Sequence, residues 1–268
     1  MTETSTLPRS GFEEKFVDAD GFLIRYLEAG SGPPLVYVHS AGGLRLSRAH
    51  ELLAASFRVV AFEVPGFSGP ANERSRSHAD VGASLVRAAR QVGLERFNLW
   101  GTSFGGAVAL WAAIGAPEAI DALVLDGCGA IEPPGGFPAV RSPEELHQYF
   151  YAHPDRHPLA PPLDPALLAQ RRALLGRMRA VPRAEVEQAL ESLDVPTLVI
   201  FGTHDRLTPP ELGRIYRDKM PRCHLVLLYD AGHEAAAERP EAFASLVQDF
   251  LRRREAFVVN DKSSRLYP

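Results

Sequence analysis

The stretch Leu99-Trp-Gly-Thr-Ser-Phe-Gly-Gly106 carries a serine across the junction between two sequence patterns. A short apolar run typical of a buried strand, Phe97–Trp100, ends just before it, and a helical pattern, Ser103–Ile114, begins at the serine. Ser103 has one glycine two residues before it and another two residues after it. This spacing suits a sharp, strained turn from strand to helix, because a side chain at either position would crowd the turn. The stretch therefore predicts an exposed nucleophilic hydroxyl at the end of a strand. A glycine-rich helix start that only packs closely on the sheet is the structural alternative.

A serine hydroxyl is a weak nucleophile, so it needs a neighbouring base, and the base needs an acid to orient it. His233 is the candidate base, because it follows a tight Asp-Ala-Gly loop directly after the last predicted strand. Asp205 is the candidate acid, since it lies between a strand and a helix and is expected at the same edge of the sheet. Asp126, at the end of an earlier strand, is the alternative acid. We predict a Ser103–His233–Asp205 triad.

The loop that follows the strand before the first helix, residues 37–43, is rich in small residues. Such a loop can present a backbone N–H group to the oxyanion that develops during acyl transfer. We predict that the oxyanion donors are the backbone N–H groups of Ala41 and Phe104. Three further residues are expected to line the substrate pocket: Ser40, Gly42 and Leu207.

Strand-like and helix-like segments alternate along most of the chain, which favours an α/β fold. We expect a mostly parallel sheet of about eight strands with helices on both faces. An Asp20-Gly21 turn predicts an antiparallel hairpin near the start. The alternation stops between residues 131 and 192, where three weak helices lie in a segment rich in Pro, Arg and His. We predict that this insert forms a cap over a core of residues 1–130 and 193–254. Residues 255–268 would form a C-terminal tail that docks in part through residues 257–259.

The composition is that of a folded globular protein. The 268 residues are 46% hydrophobic and 23% charged, and the net charge is −4. This balance argues against a nucleic acid or a membrane surface as partner. No apolar run resembles a signal peptide or a membrane-spanning helix. We therefore interpret Cys128 and Cys223 as free thiols in a reducing cytoplasm.

The sequence offers little support for a metal site. It contains no CxxC pair, and the two histidines of His153-x-x-x-His157 are followed by Pro154 and Pro158, which break the helix that such spacing requires. We expect neither a metal nor an organic cofactor, and a small molecule as the substrate. The sequence leaves the oligomeric state open.

Taken together, these stretches resemble the α/β-hydrolase superfamily, in its serine-nucleophile branch with a cap insert, from about residue 12 to residue 252. The loop at His39, the serine elbow, the acid and the histidine follow one another in the family's order. The resemblance implies the α/β-hydrolase fold and the triad roles proposed above. The chain departs from the family pattern at Ser40, where glycine is usual, and at Glu63, where aspartate is usual.

Branches of the superfamily differ at positions that this sequence can be checked against. Haloalkane dehalogenases and epoxide hydrolases carry aspartate at the elbow, which Ser103 disfavours. Hydroxynitrile lyases use a cap lysine, and residues 131–192 contain no lysine. Hydrolases of carbon–carbon bonds in meta-cleavage products usually carry tryptophan directly after the catalytic histidine, where this chain has Glu234.

The sequence ranks hydrolysis of a carboxylic ester through an acyl-serine intermediate first. Carbon–carbon bond hydrolysis of a meta-cleavage-type product and a haloperoxidase-like perhydrolase reaction are alternatives that use the same triad. A non-enzymatic ligand receptor with this fold is the alternative of another class. The complete set of candidate catalytic residues disfavours the receptor.

Five arginines of the insert follow one another without an acidic residue between them: Arg171, Arg172, Arg177, Arg179 and Arg183. One interpretation is that an arginine reaches inward and binds a substrate carboxylate. We favour a solvated helix face, because apolar residues form a separate stripe on the same predicted helix, namely Leu167, Leu168, Leu174, Leu175 and Met178. That stripe is suited to line a pocket for a hydrophobic group.

Overall fold

The computed structural model describes residues 11–178, 181–257 and 265–266. Within them, one sheet contains nine strands in the spatial order β1-β2-β4-β3-β5-β6-β7-β8-β9. Strands β3 to β8 run parallel to their neighbours, while β1, β2 and β9 pair antiparallel at the two ends. The strands are β1 Glu13–Ala19, β2 Phe22–Ala29, β3 Pro34–Val38, β4 Arg58–Phe62, β5 Phe97–Thr102, β6 Ile120–Asp126, β7 Thr197–Gly202, β8 Cys223–Leu228 and β9 Arg265–Leu266.

Helices cover both faces of this sheet. They are α1 Arg48–Ala54, α2 His78–Gln91, α3 Phe104–Gly115, α4 Pro143–Phe150, α5 Pro165–Arg177, α6 Arg183–Ser192, α7 Gly213–Lys219, α8 Ala235–Glu238 and α9 Pro240–Arg253. The described architecture confirms the predicted α/β fold class, with a mostly parallel sheet between helical layers.

The two faces of the sheet follow from the twofold alternation of side chains along each strand. On β3, Val36 and Val38 point to one face and pack with α2 and α3, while Leu35 and Tyr37 point to the other and pack with α1 and α9. Because both faces are buried, the central strands read as continuous apolar runs in the sequence. That is why periodicity located these strands to within one or two residues.

The predicted hairpin is present at the start of the sheet. Asp20 has φ 54° and Gly21 has φ 75°, and residues Ala19 and Phe22 pair across this two-residue turn. Positive φ at both turn residues gives the turn the twist of the strands that it joins, which explains the Asp-Gly pair.

Two helices begin later than the sequence predicts. The pattern predicts a helix from Leu44, whereas α1 starts at Arg48, because Ser47 caps it in an extended conformation and its side chain meets His50. The predicted helix at Pro210–Lys219 opens as a short 3-10 turn, and α7 proper starts at Gly213. Helices α4, α5 and α6 lie within residues 131–192, the segment predicted to form a cap.

The C-terminal tail, which is predicted to dock in part, contacts the core at two points. Phe257 is buried, with its ring centroid 5.7 Å from that of Phe250 and 5.2 Å from that of His224. Strand β9 pairs with the end of β8. The other two residues of the predicted docking segment, Val258 and Val259, lie outside the described residues.

Two further sequence expectations concern membranes and thiols. In the described part of the chain, no helix is long and apolar enough to cross a membrane. Cys128 is buried and Cys223 is partly buried, and both are free thiols.

Candidate active site

The serine elbow is a strained turn between β5 and α3. Ser103 has φ 55° and ψ −116°, in the region that L-residues rarely occupy. A Cβ atom on Gly101 would lie 2.2 Å from the carbonyl oxygen of Gly105, and one on Gly105 would lie 2.2 Å from that of Val38. Both glycines are therefore required by close backbone approach, as the spacing of the motif predicts.

The loop after β6 holds the elbow from the side. The Ser103 N–H group donates to the carbonyl oxygen of Asp126 at 2.8 Å, and the Gly129 N–H group donates to that of Ser103 at 3.1 Å. The Ser103 side chain makes no capping hydrogen bond to helix α3 and is partly exposed. The strained backbone thus points the hydroxyl out of the helix.

The candidate base and acid meet at the ends of the last two parallel strands. His233 Nδ1 lies 2.8 Å from Asp205 Oδ2, and both side chains are buried. Asp205 also accepts hydrogen bonds from the backbone N–H groups of Leu207 and Thr208, at 2.9 and 2.8 Å, and from the Thr208 hydroxyl at 2.7 Å. These donors stabilise the carboxylate, so Asp205 can hold a proton on His233 Nδ1 and leave Nε2 as the basic atom.

The basicity of His233 is a balance of opposing effects. Burial alone would lower its pKa, but the charge and hydrogen bond of Asp205 outweigh burial, and the pKa is raised above the ordinary imidazole range. Glu234 adds to the increase. An imidazole in this setting takes up a proton more readily than a free one.

The bond that would complete a triad, between Ser103 and His233, is not formed in this arrangement. Among the described residues, buried His233 Nε2 has no hydrogen-bond partner. The ring of Phe150, the last residue of α4, stacks on the imidazole with centroids 5.8 Å apart and planes 17° apart. Catalytic hydrogen bonds are often long before substrate binds, so a modest shift would bring the two groups together.

The alternative acid, Asp126, is differently placed. It is fully buried, and its Oδ2 accepts a hydrogen bond from the Thr102 hydroxyl at 3.2 Å. Burial and the charge of Glu234 raise its pKa well above the usual carboxyl range, which favours the neutral acid. In the described part of the chain, the carboxylate bonded to His233 is that of Asp205.

A buried histidine fixes the loop after β3. His39 Nε2 accepts a hydrogen bond from the Val64 N–H group at 2.9 Å, so the proton is on Nδ1, which donates to the carbonyl oxygen of Ser40 at 2.7 Å. The Gly43 N–H group donates to the same carbonyl at 3.0 Å. Because C=O and N–H point in opposite directions in a trans peptide, anchoring the Ser40 carbonyl inward turns the Ala41 N–H group the other way.

The remaining candidate residues lie around this loop and elbow. Ala41 is exposed and Phe104 is partly exposed, and neither backbone N–H group donates a hydrogen bond to another described residue. Gly42 and Leu207 are partly exposed, and Ser40 is buried. Two free N–H donors beside a strained serine can stabilise a developing oxyanion.

Comparison with known proteins agrees with this geometry. Residues 35–246 match the model of the alpha/beta hydrolase family. The chain belongs to this family. It is 28% identical to the 2-hydroxy-6-oxo-6-phenylhexa-2,4-dienoate hydrolase of Comamonas testosteroni, over 95% of this chain and 99% of the relative.

Two further proteins widen the comparison. A 2-hydroxy-6-oxononadienedioate/2-hydroxy-6-oxononatrienedioate hydrolase of Pseudomonas putida is 31% identical, over 83% of this chain and 85% of the relative. The crystal structure of a bacterial membrane phospholipase A superposes with a TM-score of 0.76 at 26% identity, covering 90% of this chain and 86% of that one. The superfamily predicted from the sequence is confirmed, and this α/β-hydrolase is an enzyme with serine at the nucleophile position.

Two positions at which this α/β-hydrolase departs from the expected motifs contact each other. The Ser40 hydroxyl donates to Glu234 Oε1 at 3.4 Å, across 194 residues of sequence. The sequence identified both departures separately and could not show that they meet. Glu63, the third departure, accepts a hydrogen bond from the Ser68 hydroxyl and lies 3.7 Å from Arg25 Nη1.

One arginine of segment 131–192 contacts the loop that carries the candidate oxyanion donor Ala41, which the favoured interpretation of a solvated face did not predict. Arg171 on α5 is 8% exposed; its Nε donates to the carbonyl oxygen of Phe67 at 2.7 Å and its Nη1 to that of Gly42 at 3.2 Å. The guanidinium carbon lies 5.2 Å from the centroid of the Phe67 ring. Among the described residues, no carboxylate lies within 4 Å of this cation. The charge of Glu63 acts on Arg171 from a greater distance and favours its charged form.

The other members of the arginine cluster divide. Arg172 and Arg183 are exposed, as a solvated face predicts, and Arg183 pairs with Glu187 at 2.7 Å. Arg177 donates to the backbone carbonyl of Asn72, and Arg179 lies outside the described residues. Of the apolar stripe on the same helix, Leu174 is buried in the core, while the other four residues are partly exposed.

The two histidines weighed as a metal pair bind different acids. His153 Nε2 lies 2.8 Å from Asp230 Oδ1, and His157 Nε2 lies 3.8 Å from Glu238 Oε1. Pro154 opens a 3-10 turn between them. Among the described residues, no three His, Cys, Asp or Glu side chains cluster in a way that could hold a metal ion.

Proposed function

We propose that this α/β-hydrolase cleaves a carbon–carbon bond beside a ketone in a small conjugated keto acid. In this proposal Ser103 is the nucleophile, His233 the general base, and Asp205 the acid that orients His233. The N–H groups of Ala41 and Phe104 form the oxyanion hole. The observation that carries the proposal concerns the loop of residues 39–43, which we call the oxyanion loop. Arg171 is a buried cation that contacts this loop and has no carboxylate partner among the described residues.

A buried arginine without a carboxylate partner attracts an anion. Removing a guanidinium from water is costly, and hydrogen bonds to two neutral carbonyl oxygens offset only part of that cost. Burial accordingly lowers the pKa of Arg171. A substrate carboxylate bound nearby would supply the missing charge through the planar fork of the guanidinium.

The relatives support the same substrate class. Two proteins that match this chain over more than four fifths of its length are named as hydrolases of 2-hydroxy-6-oxo dienoic acids. Such acids place a carboxylate at one end of a conjugated chain and a ketone at the other. For this reason carbon–carbon hydrolysis, the alternative in the sequence analysis, now ranks above ester hydrolysis.

The proposed reaction has two steps. His233 takes the proton of Ser103 Oγ, the oxygen adds to the ketone carbon, and the oxyanion is held by the two N–H groups. The substrate reacts as its keto tautomer, in which the enol proton has moved to the chain carbon beside the reacting ketone and made that carbon tetrahedral. The carbon–carbon bond then breaks with its electron pair delocalised along the chain onto the C2 oxygen, and His233 returns the proton to the departing enolate. Water, deprotonated by His233, then releases the acyl group from Ser103 as a carboxylic acid.

The test uses two substrates of the same active site. Wild type is expected to consume 2-hydroxy-6-oxo-6-phenylhexa-2,4-dienoate, followed by its loss of absorbance, with a kcat/KM at least about tenfold above that for p-nitrophenyl butyrate. Ser103→Ala should lose about 10³-fold or more on both. Arg171→Gln should lower kcat/KM for the dienoate by about 30-fold more than it lowers kcat/KM for the ester. A factor of about 30 corresponds to one strong charged hydrogen bond.

Arg172→Gln is the matched control, because Arg172 is exposed on the same helix. Both activities of this variant should stay within about twofold of wild type. If the protein hydrolyses the ester and leaves the dienoate intact, carbon–carbon hydrolysis is wrong.

In that event the second candidate, a carboxylic-ester hydrolase, takes its place. It uses the same acyl-serine chemistry. Glu234 favours it, because a carboxylate rather than a bulky aromatic side chain follows His233. The structural similarity to a phospholipase A points the same way.

A further inference from the structure

Glu234 places an acceptor-rich side chain at the edge of the candidate active site. Its backbone is fixed: the N–H group donates to the carbonyl oxygen of Phe150 at 3.0 Å, and its own carbonyl accepts from the Ala237 and Glu238 N–H groups at 2.9 and 3.1 Å. Glu234 is partly exposed, and its side chain accepts a hydrogen bond from the hydroxyl of buried Ser40. The residue directly follows His233, so its carboxylate lies between the base and the oxyanion loop.

This carboxylate has unused hydrogen-bonding capacity. A carboxylate can accept about four hydrogen bonds, and among the described residues the donor to its side chain is Ser40, at a long 3.4 Å. No cationic group of the described residues lies within 4 Å of it. An acid that is partly shielded from water and has no cation partner favours donors or positive charge in a ligand.

The groups that face Glu234 come from several elements. Its charge acts on His233, on Asp126 at the end of β6, on Tyr37 in β3 and on Tyr151 after α4. Arg45, which is exposed, acts on the same two tyrosines with the opposite sign. Arg45 is therefore the cation that opposes Glu234 at the rim.

Opposite charges flank the oxyanion loop. Glu234 contacts Ser40 in this loop. Arg171 contacts Gly42 and lies against Gly43, where a Cβ atom would come within 2.9 Å of Nη1. A substrate lying along this loop would meet a cation at one end and an anion at the other.

We propose that Glu234, held by Ser40, forms an electronegative subsite beside His233 that binds a positively charged or hydrogen-bond-donating group of the substrate. That group would lie on the opposite side of the reacting carbonyl from the carboxylate that Arg171 binds. The inference rests on the proposed hydrolysis at Ser103. Among substrates of that class, it favours acids that carry an amine or a hydroxyl group at the far end.

The experiment compares two thioesters of the same shape that differ in charge on the acyl side of the carbonyl: the S-ethyl thioesters of 4-(trimethylammonio)butanoic acid and of 5,5-dimethylhexanoic acid. The readout is the ratio of their kcat/KM values within each variant, so that any change in His233 that affects both substrates cancels. At low ionic strength, the kcat/KM of wild type should be about fivefold higher for the cationic thioester, mostly because its KM is lower. This preference should shrink in about 0.5 M salt, because salt screens the attraction between exposed charges.

Three variants test whether Glu234 causes the preference for the cationic thioester. Glu234→Gln, which keeps the shape and removes the charge, should bring the ratio to about one. Arg45→Gln should raise the ratio, since it removes the opposing cation. Glu73→Gln, an exposed acid outside this set, makes the same change in net charge and should leave the ratio at the wild-type value.

Each outcome has one meaning. A wild-type protein that hydrolyses both thioesters equally, or a Glu234→Gln variant that keeps the cation preference, overturns the subsite and leaves the serine hydrolase intact. A folded wild-type protein that hydrolyses neither thioester and takes no fluorophosphonate on Ser103 overturns the proposed function and the subsite together.

Discussion

The segment 131–192 contacts the core at two places that are built with opposite polarity. At the first, which we call the acid contact, Glu238 is 3% exposed and accepts hydrogen bonds from the N–H groups of Ala152, His153 and Gly232 at 3.0, 3.1 and 2.5 Å. At the second, which we call the arginine contact, Arg171 and Gln170 donate to the carbonyl oxygens of loop residues 42, 66, 67 and 69.

Each contact fixes a different part of the candidate active site. The acid contact lies on the loop that carries His233, and a Cβ atom on Gly232 would come within 2.7 Å of the Ala152 backbone nitrogen. The arginine contact meets the loop that carries the Ala41 N–H group at Gly42, and the loop after β4 at residues 66, 67 and 69. Segment 131–192 thus meets the core with opposite polarity at its two contacts. At the acid contact its backbone N–H groups donate to Glu238 of the core, and at the arginine contact its own cation donates to carbonyl groups of the core.

The acid contact should show the larger loss when it is broken. Glu238→Gln keeps the shape but removes the charge and one acceptor, leaving buried N–H groups poorly bonded. We expect the free energy of unfolding to fall by about 3 kcal/mol, together with a fall in kcat as the His233 loop moves. Urea unfolding and p-nitrophenyl butyrate hydrolysis measure the two effects.

The control for this variant is Glu241→Gln, since Glu241 is an exposed acid that pairs with exposed Arg48 at 2.7 Å. Its effect should stay below about 1 kcal/mol. Equal stability losses in the two variants would mean that the acid contact does not stabilise the packing of segment 131–192 on the core.

Acid should weaken the oxyanion loop. Burial lowers the pKa of His39 to about 3, whereas an unfolded imidazole titrates near 6.5. As pH falls below about 6.5, the unfolded chain binds a proton that folded His39 does not, so stability falls.

The measurement is urea unfolding of wild type and His39→Gln at pH 6.5 and pH 5.0. Glutamine can donate and accept as the neutral imidazole does, but it does not titrate. His233, whose pKa is raised, contributes with the opposite sign in both proteins and cancels in the difference. Wild type should lose up to about 2 kcal/mol more than His39→Gln over this interval. Parallel pH curves would show that His39 is free to protonate in the fold.

Much of the core could be predicted because its signals are local. The strands are short apolar runs, the hairpin has an Asp-Gly turn, and the elbow has glycines at two fixed spacings, each set by sterics within a few residues. The candidate acid and base could be placed because the carboxyl ends of parallel strands share one edge of the sheet.

The contacts of segment 131–192 with the core could not be predicted, because their signals are not local. Arg171 and Arg172 are adjacent in sequence and identical in type, yet one is buried against the oxyanion loop and the other is exposed. Only the position of α5 relative to residues 42 and 67 decides between them, and no periodicity encodes that position. The Ser40–Glu234 contact and the role of Glu238 depend on long-range packing in the same way.

The smallest expected effect tests whether burial, rather than charge, makes the arginine contact. Arg183→Gln removes an exposed cation paired with Glu187 four residues later on α6, and it should change the free energy of unfolding by less than about 0.5 kcal/mol. Arg171→Gln removes the same charge from a buried site with two carbonyl partners, and it should cost about 1–2 kcal/mol. Both variants are measured by urea unfolding at the same salt concentration. If the two variants lose equal stability, the hydrogen bonds of Arg171 contribute no more to the free energy of unfolding than a solvated ion pair does. Burial of Arg171 would then contribute to substrate binding and not to stability.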